Sequence, residues 1–119
     1  MRFLSVIRSA EDQGAPPQAL MDAMGPYVEQ GFKSGKLIDT GGLAPAAMTK
    51  RTRLSHGQIT VLDGPYSESK EVIGSFAVLE CASLEEAVQI AQEFMEFSRS
   101  YWPEWEGECE IRQIFGPND

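Results

Sequence analysis

With 119 residues, 42% of them hydrophobic and 24% charged, the chain has the size and composition of one globular domain, residues 1–119. A formal net charge of −8 opposes contact with nucleic-acid phosphates, so no direct DNA or RNA partner is expected. No apolar run reaches the ~20 residues that a membrane helix needs, and the opening MRFLSVIRSAED lacks a small-residue cleavage site. A cytoplasmic protein without membrane contact is the expectation.

Arg2 to Arg8 carries apolar residues on both alternating faces, the pattern of a strand covered on two sides. A glycine- and proline-marked loop follows. Leu20, Ala23, Met24, Tyr27, Val28 and Phe32 then recur at helical spacing, interrupted by Gly25-Pro26. Proline removes a backbone donor, which predicts a short helix, a break, and a longer helix from Pro26 that stops at Gly35. Lys36 to Leu43 is a candidate strand in which Gly41-Gly42 marks a bulge or a close backbone approach. Thr49 to Leu54 and Gln58 to Asp63 alternate around Ser55-His56-Gly57, a hairpin signal. Ser75 to Cys81 is the strongest strand. Ser83-Leu84-Glu85-Glu86 then forms a capping box, and Leu84, Ala87, Val88, Ala91, Phe94, Met95 and Ser98 make one apolar stripe facing a core. Tyr101, Trp102 and Trp105 suit the sealing of a core edge or dimer contact, and Cys109 to Phe115 is the last strand.

The order β, α, β, hairpin, β, α, β predicts an α+β domain of ferredoxin-like, split βαβ type with a hairpin insertion. Two helices cover one sheet face only. The apolar strands therefore predict a homodimer in which a second copy covers the other face, a dimeric α/β barrel.

Leu62 to Phe76 is the most distinctive segment: a strand leaves through Asp63-Gly64-Pro65, crosses a polar loop and resumes at Gly74. Here the chain resembles the DGPF-motif branch of the YCII-related family. Asp63-Gly64-Pro65, Glu68, Lys70-Glu71, Gly74 and Phe76 match its pattern, and Tyr66 replaces the usual Phe with another aromatic ring. Gly42-Leu43-Ala44-Pro45 and the pair Thr52 and Arg53 also fit. The resemblance implies a dimeric α/β barrel with a cleft on each protomer. It also implies largely uncharacterised relatives, some encoded near extracytoplasmic-function sigma factors, and a related branch that holds a dehydrochlorinase acting on an aromatic ring. Other YCII proteins have a proposed His-Asp pair with its histidine near the first helix. The single histidine here, His56, lies in the hairpin turn, so that pair does not carry over.

The Asp63 loop supports two readings. In one, Asp63 caps a turn, Gly64-Pro65 fixes the backbone, and Glu68 and Lys70 form solvated ion pairs. In the other, Asp63 sits at a cleft mouth as an acid/base or ligand acceptor, while Lys70 or Arg53 holds an anionic group. A carboxylate beside a cation stays ionised, so burial would have to offset that before Asp63 worked as a base. Arg53, Tyr66, Glu68 and Lys70 are the candidate ligand-binding residues, with Asp63 the candidate catalytic one. One histidine and two separated cysteines, Cys81 and Cys109, give no metal set, and no phosphate-binding glycine pattern implies a cofactor. Three functions follow as hypotheses: a ligand-binding, regulatory homodimer; a cofactor-free lyase- or dehydrochlorinase-like enzyme using Asp63; and a protein interaction module.

Overall fold

The computed structural model describes residues 1–9, 13–66 and 72–117. In chain order its elements are β1 (Arg2–Ser9), α1 (Gln18–Lys33), β2 (Leu37–Gly42), a 3-10 turn (Ala46–Met48), β3 (Lys50–Ser55), β4 (Gln58–Asp63), β5 (Val72–Glu80), α2 (Leu84–Tyr101) and β6 (Glu108–Ile114). Four strands form an antiparallel sheet in the order β2-β5-β1-β6, and β3 pairs with β4 in a separate two-stranded ribbon. The chain is a mixed α+β domain.

Register decides which residues meet the helices. Phe3 lies opposite Leu79, Ser5 opposite Ala77 and Ile7 opposite Ser75, so these six side chains share one face. On that face Phe3 and Leu79 are buried together with Cys81 and with Ala87 of α2, and Leu37, Ile90 and Ile111 pack around them. The reverse face carries Leu4, Val6, Phe76 and Val78, all half-buried. Phe3 is the one large side chain fully removed from solvent among the described residues.

The start of α2 follows its sequence signal. Ser83 Oγ accepts from the Glu86 N–H at 3.1 Å, satisfying one amide that the helix itself leaves open. The Glu86 carboxylate accepts from Lys36 Nζ at 2.5 Å, which ties this end of α2 to the segment leading into β2. That hydrogen bond and its charge hold Glu86 below the usual carboxylate range and Lys36 above the usual ammonium range.

Two expectations change, and a third is narrowed to one of its alternatives. The break at Pro26 is absent: α1 runs without interruption from Gln18 to Lys33. Gly25 and Pro26 face solvent, where the carbonyl that proline leaves unpaired can bond to water, while Leu20, Ala23, Met24, Tyr27 and Val28 fasten the helix on both sides of it. The apolar stripe of α2 is only partly core, because Leu84 and Val88 stay exposed along an open groove beside β6. In β2 the irregularity falls between Leu37 and Asp39, and Gly41 marks the close approach instead: a Cβ there would lie 3.1 Å from the Phe76 ring.

The hairpin forms as expected, with His56 and Gly57 in its turn at φ 52° and 78°. It projects as an arm. The radius of gyration, 16.3 Å, exceeds the ~13.5 Å expected of a compact chain of this length. Leu54, Ile59 and Val61 share one face of the arm and are 72%, 70% and 64% exposed.

So small a core concentrates its stability. Phe3→Ala should lower unfolding free energy by about 3–5 kcal/mol, because it removes a fully buried ring that the sheet cannot replace. Ser83→Ala should cost only about 1 kcal/mol, the usual value for losing a cap. Urea unfolding of the two variants beside the parent checks both values.

Candidate functional site

Of the residues singled out in the sequence, Asp63 and Tyr66 stand at the base of the arm and Arg53 lies nearer its turn, with no common point between them. Asp63 ends β4, with Oδ1 3.2 Å from Lys50 Nζ, its cross-strand neighbour; the two side chains are 76% and 73% exposed. Arg53 lies opposite Thr60, on the other face of the ribbon from Asp63. Tyr66 packs against the Arg53 side of the ribbon: its ring lies under the Arg51 guanidinium, 3.6 Å from the ring centre. The Tyr66 hydroxyl stands 3.1 Å from Thr49 Oγ1. Glu68 and Lys70 lie outside the described residues.

The Asp-Gly-Pro corner is tightly built. The Gly64 N–H donates to the Thr49 carbonyl at 2.9 Å, and Thr49 Oγ1 donates to the Ala46 carbonyl at 2.7 Å. A Cβ on Gly64 would fall well inside contact distance of that same Ala46 oxygen, so only glycine fits. The Gly64–Pro65 peptide is cis. These contacts explain the motif as local architecture and leave the Asp63 carboxylate facing water.

A concave site exists elsewhere. Between the two helices and the sheet lies a cavity of about 560 Å³. Tyr27, Val28 and Gly31 of α1 and Ile90, Ala91 and Phe94 of α2 form its roof. Its floor is Ser5 and Ile7 of β1, Leu37 and Thr40 of β2, and Ser75, Ala77 and Leu79 of β5. The cavity follows from side-chain size at fixed register. One step along β1 and β5 from the large pair Phe3 and Leu79 stands the small pair Ser5 and Ala77, and the helices are held too far off to fill the difference. Asp63, Arg53 and Tyr66 do not line it.

Aromatic rings join the two helices beside the cavity. Tyr27 stacks on Phe97 with ring centres 4.1 Å apart and meets Phe94 edge-on at 5.9 Å. Burial, then the nearby Glu93 carboxylate, pushes the Tyr27 hydroxyl above its ordinary value, so it stays protonated and can donate. Lys36 also contributes to the wall, with its ammonium engaged by Glu86.

The thiols are unsuited to nucleophilic work at neutral pH. Burial raises both Cys81 and Cys109 above their ordinary values, and Cys109 Sγ lies 3.0 Å from Ser5 Oγ. Among the described residues no three of His, Cys, Asp and Glu converge. Among the described residues no helix is long and apolar enough to cross a membrane.

Periodicity alone concealed this cavity, because the stripes on α1 and α2 look the same over a filled or a hollow core. The signal that carries it is size: Ser5, Thr40, Ser75 and Ala77 are small residues at helix-facing positions of three adjacent strands.

An uncharacterized protein of Rhizobium meliloti (strain 1021) is 39% identical over 67 residues, a match that takes in 56% of this chain and 51% of that protein. The chain thus spans about half the length of the curated relative it matches. The family model described as the YCII-related domain matches residues 1–106, nearly the whole chain, and the protein therefore belongs to the YCII-related domain family.

Proposed function

We propose that this protein is a homodimeric small-molecule-binding domain whose ligand occupies the cavity beneath α1 and α2. The observation that carries this reading is the cavity itself: about 560 Å³ of concave, mainly apolar space with a few polar groups in its wall. The frame proposed for it is ferredoxin-like, supported by the strand order β2-β5-β1-β6 with one helix after β1 and one after β5. Dimerisation into an α/β barrel is supported by Leu4, Val6, Phe76 and Val78, an apolar set on the sheet face turned away from the helices. Membership of the DGPF-motif branch rests on the Asp63-Gly64-Pro65 corner, and a reducing, cytoplasmic setting on two free thiols.

A cofactor-free enzyme using Asp63 as acid or base is the second reading, with Arg53, Tyr66, Glu68 and Lys70 as ligand contacts. The rigid corner favours it, since Gly64 and Thr49 hold the end of β4 in one place. The short ion pair with Lys50 opposes it by giving the carboxylate a surface partner.

In a metabolite screen read by thermal shift, a ligand at about 100 times its Kd should add about 2.7 kcal/mol of stability. Ala77→Leu and Ala91→Leu, which project into the cavity, should abolish the hits while remaining folded. Light scattering at micromolar concentration should give about twice the chain mass of 13.1 kDa, and Val6→Lys should return it to a single chain. Asp63→Asn keeps the size and turn bonding of the residue and should leave the affinity of any cavity ligand unchanged; a tenfold loss would move Asp63 into the site.

A further inference from the structure

We infer that the cavity is a receptor for an uncharged, largely apolar molecule, and that it discriminates against the same molecular body carrying a carboxylate or an ammonium. This rests on the cavity being the ligand site. Its size separates it from a packing fault, since deleting a whole large side chain from a core leaves a void of only ~150 Å³. The small residues that open it recur on β1, β2 and β5 at positions that face the helices.

Chemistry of the wall sets the ligand class. Half of the polar side chains there, Ser5, Thr40, Ser34 and Lys36, are spent on the protein itself. Ser5 Oγ is paired with Cys109 Sγ at 3.0 Å, Thr40 Oγ1 donates to the Phe76 carbonyl at 2.8 Å, and Ser34 Oγ donates to the Gly31 carbonyl at 2.8 Å. Lys36, the one cation in the wall among the described residues, donates to Glu86 at 2.5 Å. An entering carboxylate would compete with Glu86 for that ammonium and would meet Glu93 on the same wall. An entering ammonium would meet Glu93 as its counter-charge, but that carboxylate is exposed and hydrated, so the pair would not offset the ammonium's lost hydration. Burying a charge without a partner is far more unfavourable than burying an apolar surface of equal size. A neutral hydroxyl or carbonyl, by contrast, suits the Tyr27 hydroxyl and the side chains of Gln30 and Ser75.

Three compact probes with one hydrocarbon body test the inference: 1-adamantanemethanol, 1-adamantanecarboxylate and 1-adamantanemethylamine at pH 7, titrated into the whole chain by calorimetry. The alcohol should bind, and both charged probes should bind at least about tenfold more weakly. Ala77→Leu should remove alcohol binding, with circular dichroism confirming the fold. A charged probe that binds as tightly as the alcohol overturns the ligand class and leaves the cavity standing as a site. Alcohol affinity unchanged in Ala77→Leu places the probe outside the cavity, and no binding by any of the three removes the receptor altogether; either result overturns both the class and the site.

Discussion

The central pairing of β1 with β5 fixes almost everything else in this molecule. Antiparallel register sets Phe3 beside Leu79 and Ser5 beside Ala77, and the pleat sends all four toward the helices. The large pair grips Ala87 and so anchors α2; the small pair, one step further on, leaves α1 and α2 without material beneath them. A slip of one residue would turn Leu4 and Val6 to the helices and expose Phe3. Anchor and cavity are thus two results of one register, which is why the hollow can persist without collapse. The roof is pinned at one side by the Phe3 cluster and at another by the aromatic contacts of Tyr27 with Phe94 and Phe97.

Much of the frame was legible in the chain because its signals are local. The stripe and the Ser83 cap announce α2, alternation announces β3 and β4, and His56-Gly57 announces their turn. Pro26 misled for a related reason. A local rule weighs the missing amide but not the burial that holds a helix together on both sides of it. The cavity was harder to see. Whether Ser5 or Ala77 borders a hollow depends on partners more than 70 residues away, and those exist only once the sheet has formed.

The site residues chosen from the sequence illustrate the same limit from the opposite side. Asp63, Arg53 and Tyr66 drew notice because an aspartate-glycine-proline corner is unusual, and the corner does carry a strict packing requirement at Gly64. Its neighbours are Thr49, Ala46 and Arg51, all within the arm and the turn that leads into it. Closeness along the chain placed Asp63 and Arg53 in one imagined cluster, whereas the pleat of a two-stranded ribbon sends them to opposite faces.

The two sheets also differ in how far along the chain their partners lie. Every β3–β4 pair falls between Lys50 with Asp63 and Ser55 with Gln58, so the arm closes through short loops and can form on the microsecond scale of an isolated hairpin. The main sheet has no such shortcut. β1 pairs with β6 from Arg2 with Ile114 to Arg8 with Glu108, so its second edge is satisfied only after almost the entire chain has been gathered. Non-local pairing of this kind slows folding, because loop-closure entropy is lost before the contacts reward it. Until β6 arrives, β1 keeps an open hydrogen-bonding edge, and that interval is when the chain is most exposed to pairing with the wrong strand.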